Sequence, residues 1–184
     1  MKRWKNTLIV VAICIALAAY VLLFEVKREP PTDAQATPTP LPLLSLTVNE
    51  IKSLHMSAGE RTLRIEHRQN EWRIVEPDEG IADPVEVHIA ADDLARLTAR
   101  QILLEQVAGR EQYGLAPASL TLTVTTYTDA QVRLYIGRQT PDNMAYYVQL
   151  DGDPRLYLVN QYTLQPFFTW IDAPPYQPTP TPSQ

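Results

Sequence analysis

Three histidines, His55, His67 and His88, are the side chains of this sequence best suited to holding a metal ion. Their spacing forms neither an H-x-H pair nor an H-E-x-x-H motif, the patterns that bring two imidazoles to one face of an element. His55 and His67 fall on separate predicted strands, and His88 falls on the polar side of a predicted helix. We therefore predict no metal site and interpret all three as surface or half-buried histidines.

Residues for nucleophilic or cofactor chemistry are also scarce. No G-x-S-x-G elbow is present, and the single cysteine, Cys14, lies inside an apolar run where it can form neither an intrachain disulfide nor a cysteine metal site. The six glycines do not cluster, so the sequence contains no phosphate-binding loop and no dinucleotide fingerprint. We predict no catalytic residue and no cofactor, and we expect a protein that is not an enzyme.

Carboxylates are numerous enough for an acid–base pair of the kind that glycosidases use. The pairs Asp78-Glu79 and Asp92-Asp93 are predicted in a loop and on the exposed side of a helix, whereas an acid catalyst needs a buried environment. The run Asp151-Gly152-Asp153 has the start of a calcium loop but lacks the later ligands, and a hairpin turn explains it. An envelope hydrolase is therefore the least favoured function.

The elements that would position these residues are mainly strands, because apolar and polar residues alternate along much of the chain. A polar turn at Gln69-Asn70, a turn around Asp129 and the run 151–154 each separate two such segments. We predict three antiparallel hairpins and one weaker strand: residues 61–68 with 71–77, 120–125 with 132–136, 145–150 with 155–159, and about 50–56.

One helix is predicted to interrupt the strands. Asp83 is suited to cap it, Pro84 to occupy its first position and Glu86 to complete a capping-box-like start. Its predicted apolar stripe consists of Val87, Ala90 or Ala91, Leu94 and Leu97. A second, shorter helix is predicted at residues 161–170. The predicted fold class is α+β: an N-terminal transmembrane helix, then mainly antiparallel β-hairpins with one longer amphipathic helix packed on a sheet.

The predicted membrane anchor is Thr7–Phe24, eighteen residues without a charge. As a helix they would span about 27 Å, close to the thickness of the hydrocarbon core of a bilayer. A cleaved signal peptide is the alternative. Cleavage after Ala18 would leave a strongly hydrophobic amino terminus on the mature protein, so the uncleaved anchor is favoured. The side chains predicted to contact lipid are Leu8, Ile9, Val10, Ile13, Leu17, Val21, Leu22, Leu23 and Phe24.

Basic residues near the amino terminus determine the predicted orientation. Lys2, Arg3 and Lys5 precede the anchor, which favours a single-pass cell-membrane protein with its amino terminus inside and the rest of the chain outside the cytoplasm. That remainder is more acidic than the net charge of −5 indicates, so no nucleic-acid partner is expected. The predicted organisation is a cytoplasmic segment at 1–6, the transmembrane helix at 7–24, a Pro/Thr-rich linker at 25–42, an extracytoplasmic α+β domain at 43–172 and a disordered tail at 173–184.

Five short motifs follow the anchor in order. They are Glu71–Pro77, Ala82-Asp83 at the helix start, Tyr113-Gly114-Leu115 with Pro117, Ile136-Gly137 with Thr140-Pro141, and Tyr146-Tyr147-Val148. In this order, and over nearly the whole chain, they resemble the domain-of-unknown-function 4340 family. The resemblance implies a membrane-anchored protein, similar in some members to auxiliary components found with ABC-type export systems of gliding bacteria. It supplies no catalytic residue.

The predicted anchor, the Pro/Thr-rich linker and the scarcity of reactive side chains in the domain together favour a non-enzymatic interaction or scaffold domain outside the cytoplasm. Its expected partners are the lipid bilayer, through residues 7–24, and a protein of an envelope or transport assembly. The alternative is a ligand-binding module for a sugar or a peptide. Its candidate surface contacts are the aromatic side chains of Tyr135, Tyr146 and Tyr157.

Overall fold

The computed structural model of the chain describes residues 41–178. Ten strands, all paired antiparallel, form one sheet within this range, in the order β1-β6-β10-β9-β8-β7-β2-β3-β4-β5. The strands are β1 Leu41–Pro42, β2 Ile51–Ala58, β3 Arg61–Arg68, β4 Glu71–Glu76, β5 Gly80–Ile81, β6 Thr98–Leu104, β7 Leu120–Thr126, β8 Gln131–Gln139, β9 Ala145–Leu150 and β10 Leu156–Asn160. The helices are α1 Pro84–Ala95 and α2 Gln161–Asp172.

The predicted fold class is wrong in its architecture. The hairpins join into a single ten-stranded sheet, and α2 has the same twelve-residue length as α1, so no one helix is the longer. Strand β6, which we did not predict, extends one side of the sheet by pairing with β10, and the short β1 pairs with its other edge. Exposed and buried residues do not alternate regularly along β6, so its sequence lacks the two-residue period by which a strand is recognised.

The predicted transmembrane helix at 7–24 and the cytoplasmic segment at 1–6 lie outside the described residues, as do most of the linker and half of the predicted tail. Across residues 41–178, neither helix has the length and apolar character required to cross a bilayer. The domain limits at 43 and 172 stay predictions.

The three predicted hairpins are confirmed, with β3 paired to β4, β7 to β8 and β9 to β10. Gln69 and Asn70 have φ angles of 51° and 67°, and Asp129 has a φ angle of 61°. Left-handed conformations of this kind match the twist of two antiparallel strands, and Asn and Asp adopt them at low cost. These turn residues therefore favour the observed register of the β3–β4 and β7–β8 hairpins.

The start of α1 agrees with the prediction from the sequence, with one correction. Asp83 accepts hydrogen bonds from the backbone N–H groups of Val85 and Glu86, so it caps the helix as predicted. The carboxylate of Glu86 does not complete a capping box. It accepts a hydrogen bond of 2.6 Å from Trp170 Nε1 and so connects α1 to α2.

Both helices contribute to one hydrophobic core on one face of the sheet. Val87 and Leu94 of α1 join Leu164, Phe167 and Trp170 of α2 in this core, together with the inward side chains of the long strands. The opposite face is polar along β7, where Thr121, Thr123 and Thr125 alternate with buried apolar residues. The segment between β6 and β7 covers part of that polar face, and this part contains the candidate site.

Candidate binding cleft

A cleft of about 310 Å³ opens beside the turn between β9 and β10, and we call it the turn cleft. Its walls are Arg110, Tyr135, Gln149 and the turn residues 150–154. Gly152 has a φ of 78°, a conformation that favours glycine, and this allows the tight reversal between the strands. A wider depression of about 710 Å³ shares the same turn and adds Glu105 and Arg155.

Arg110 reaches the cleft from the segment that crosses the polar face. It begins a single 3₁₀ turn, Arg110–Tyr113, and its guanidinium carbon lies 4.9 Å from the centre of the Tyr135 ring. The Tyr113 ring packs 5.1 Å from that of Tyr147 on β9. Gly137 of β8 lets the turn approach, because a Cβ atom there would lie 2.0 Å from the Tyr113 carbonyl oxygen. The close backbone approach that a glycine permits therefore positions Arg110.

Gln149 forms the floor of the cleft. Its side chain is 8% exposed, and its Nε2 donates a hydrogen bond of 2.9 Å to the carbonyl oxygen of Asp153. That bond fixes the orientation of the amide, so Oε1 must find a separate donor. Among residues 41–178, neither Gln149 Oε1 nor the buried Nε of Arg110 has a hydrogen-bond partner. An unpaired buried polar atom costs about 1–3 kcal/mol. Two residues of the cleft wall therefore carry one unused acceptor and one unused donor.

The carboxylate of Asp153 is fully engaged next to the cleft. Arg155 Nη2 and the Tyr157 hydroxyl each donate a hydrogen bond of 2.7 Å to Asp153 Oδ2. The Arg155 hydrogen bonds hold the pKa of Asp153 well below its usual range. Burial, together with the hydrogen bond to Asp153, raises the pKa of Tyr157 to about 12. Acid catalysis needs a carboxyl group with a raised pKa, so Asp153 is suited to holding the turn and not to donating a proton.

We expect Asp153→Asn to lower the free energy of unfolding by about 1–3 kcal/mol at pH 7, because it replaces charge-assisted hydrogen bonds with weaker ones. The folded-state pKa of Asp153 lies below the unfolded value, so the carboxylate stabilises fully above about pH 4 and loses this effect as the pH falls. Urea unfolding should therefore show the difference between wild type and variant shrinking by roughly 1 kcal/mol from pH 5 to pH 3. Asp93→Asn on the exposed side of α1 is the control. A difference that stays constant with pH would contradict the assignment.

The three tyrosines predicted as surface contacts have different environments. Tyr135 is half-buried, lines the cleft, and donates a 3.3 Å hydrogen bond to Asp151. Exposure was the wrong prediction for Tyr146 and Tyr157, which are only 6% and 1% exposed. Tyr146 stacks on Phe168 of α2 at 4.7 Å, and the Tyr157 ring faces the core. Alternation assigns a side chain to a face, but it does not reveal which face a helix covers.

Arg110 and Gln149 were not singled out from the sequence. They lie on a 3₁₀ turn and on β9, separated by two strands, and no local pattern connects them. The one available signal was the pair Gly114 and Gly137, which we could interpret only as points of positive φ or close approach. Gly114 has a φ of 70°, and at Gly137 the backbone of Tyr113 comes too close to leave room for a Cβ atom.

The model of the DUF4340 family, a domain of unknown function, matches residues 72–181, more than half of the chain. No curated protein and no solved structure matches the chain. The matched range contains both Arg110 and Gln149, so the whole turn cleft lies inside it.

Proposed function

We propose that this chain, which belongs to the DUF4340 family of domains of unknown function, is a membrane-anchored, non-enzymatic interaction domain that binds an extended segment of a partner protein in the turn cleft. One observation carries the proposal: two residues that line one cleft, Arg110 and Gln149, each have a buried side-chain atom, the donor Nε and the acceptor Oε1, with no hydrogen-bond partner among residues 41–178. A peptide backbone supplies the complementary pair, because each residue offers one carbonyl oxygen and one N–H group.

The cleft suits a short, weakly bound segment. Its volume of about 310 Å³ is at the lower end of the range for ligand sites. Two new hydrogen bonds would relieve two unpaired atoms, and the one from Arg110 is charge-assisted and hence stronger. Tyr135 supplies a flat surface beside them, although the Arg110 guanidinium occupies one face of its ring. These features are typical of a transient contact within an assembly.

The charged groups around the cleft support a non-enzymatic role. The Asp153 carboxylate is engaged by Arg155 and Tyr157, and that of Asp151 accepts from the Tyr135 hydroxyl and lies 3.8 Å from an Arg133 nitrogen. A carboxylate in such a network holds neighbouring side chains in position. The lone pairs of Asp153 are already used by Arg155 and Tyr157, so Asp153 is a poor proton acceptor for a substrate.

The membrane anchor is proposed from the uncharged residues 7–24, whose summed hydrophobicity favours insertion into a bilayer. The preceding Lys2, Arg3 and Lys5 favour an amino terminus inside, and the cleft would then face a partner of the cell envelope or of a transport assembly. Fractionation of cells expressing the full chain should recover it from membranes with detergent only, whereas a variant lacking 7–24 should be soluble. Full chain that is soluble and unaggregated without detergent would contradict the anchor.

Docking is tested by photo-cross-linking in membranes, with a benzophenone amino acid in place of the exposed Asp151. Gln149→Leu removes the acceptor at similar volume, and Thr62→Val on β3, away from the cleft, is the isosteric control. We expect the yield of a protein adduct to fall about fivefold or more with Gln149→Leu, and to be unchanged with the control. An adduct that forms equally in both variants, or one to a polysaccharide, would overturn the proposed polypeptide ligand.

A further inference from the structure

A separate cavity of about 220 Å³ lies far along the sheet from the turn cleft, where the β3–β4 hairpin meets the start of α1. Its lining includes His67, Trp72 and His88, together with Asn49 and Asn70. The sequence separates the two histidines by twenty residues that include two strands, β4 and β5, so no metal-binding spacing was visible. The fold nevertheless brings His67 of β3 and His88 of α1 to one cavity.

Hydrogen bonding determines which nitrogen of His67 carries the proton. The Tyr127 hydroxyl oxygen lies 3.0 Å from both His67 Nδ1 and the His67 carbonyl oxygen. A carbonyl oxygen can only accept, so the single hydroxyl proton is donated to it. The hydroxyl oxygen then accepts from His67 Nδ1–H. A neutral His67 therefore has its free lone pair on Nε2.

The His67 ring is also fixed in orientation. It stacks on Trp72 with the ring centres 4.6 Å apart and the planes 29° from parallel. A histidine that binds a metal through one nitrogen usually donates its other N–H to an oxygen atom, which sets the tautomer and the angle of the ring. Tyr127 supplies that oxygen to His67.

We propose that His67 Nε2 and the His88 imidazole bind a divalent transition-metal ion of the Zn²⁺ or Cu²⁺ type. Imidazole nitrogen is a preferred ligand of both ions. No group of three or more His, Cys, Asp or Glu side chains within 41–178 is arranged to hold a metal, so two protein ligands leave coordination positions for water or for a partner. The site is independent of the turn cleft.

Calorimetric titration of the full chain, in detergent and without an affinity tag, with ZnCl₂ or CuCl₂ tests the site. We expect one ion per chain, with affinity about tenfold or more weaker in His67→Gln and in His88→Ala. His88 is exposed on α1, so its replacement leaves the fold intact. His55→Ala, on β2 and outside the cavity, is the matched control and should bind as wild type does. Absence of saturable binding, or equal weakening by His55→Ala, would overturn the proposal.

Tyr127→Phe tests the positioning step separately. Loss of the hydroxyl releases His67 Nδ1–H, so we expect affinity for the ion to fall by about tenfold. Imidazole ¹⁵N spectra of the metal-free chain should show His67 protonated on Nδ1 in the wild type and a mixture of tautomers in the variant. A wild-type His67 protonated on Nε2 would contradict the assignment, because that nitrogen would then be unable to bind a metal.

Discussion

Gly137→Ala is expected to lower the free energy of unfolding by about 3 kcal/mol or more. The new Cβ atom would lie 2.0 Å from the carbonyl oxygen of Tyr113, much closer than atoms can approach. The obstructing atom belongs to the backbone, so no side-chain rotation relieves the clash. Gly137 lies in β8, between β7 and β9, and the strain must displace either the sheet or the 3₁₀ turn that carries Arg110.

Urea unfolding of the variant measures this loss, and Gly59→Ala is the matched control. A Cβ atom at Gly59 would meet no atom within 4 Å, although its φ of 62° is unfavourable for alanine. Gly59→Ala should therefore cost only about 1–2 kcal/mol. Equal losses at the two positions would show that backbone conformation, and not the approach of Tyr113, explains the glycine at 137.

Trp170→Ala is expected to cost about 3–5 kcal/mol of stability, the range for removing a buried aromatic side chain. Trp170 is 1% exposed, and its ring meets that of Phe167 edge-on, with centres 5.2 Å apart. Its Nε1 also donates to the Glu86 carboxylate on α1. The substitution would thus remove core volume and the hydrogen bond between the two helices.

Trp170→Phe separates these two contributions, because it keeps an aromatic ring and removes the N–H donor. We expect about 1–3 kcal/mol for this variant in chemical denaturation. Tyr162→Ala is the control on the same helix, since Tyr162 is 72% exposed and its loss should change stability by only about 0.5 kcal/mol. A Trp170→Ala variant as stable as Tyr162→Ala would contradict the position of α2 on the sheet.

Local rules predicted the parts of this fold that depend on neighbouring residues. The hairpins follow from alternation and from turn residues such as Asn70 and Asp129, and the start of α1 follows from Asp83 and Pro84. Strand β6 was missed because its pairing with β10 is irregular, with two register shifts, and its side chains alternate poorly between buried and exposed. Its place in the sheet depends on long-range pairing, which a local pattern does not contain.

The candidate cleft was not predictable from the sequence for a related reason. Gln149 lies on the polar face of β9, where alternation predicts exposure, yet it is buried at the cleft floor beside Arg110. Its burial depends on the segment between β6 and β7 folding back over that face. This in turn depends on Gly137, whose role appears only when the strands are assembled. The two unpaired atoms therefore arise from tertiary structure alone.

Recognition of a peptide bond by Arg110 and Gln149 is tested most directly by NMR titration of the full chain in detergent with N-methylacetamide. This probe has one carbonyl oxygen and one N–H group, whereas N,N-dimethylacetamide lacks the N–H. We expect N-methylacetamide to shift the Arg110 Nε–H and Gln149 side-chain signals saturably. N,N-dimethylacetamide should have a much smaller effect, and Gln149→Leu should abolish the Arg110 shift. Equal responses to the two amides, or none to either, would contradict a cleft built for a polypeptide backbone.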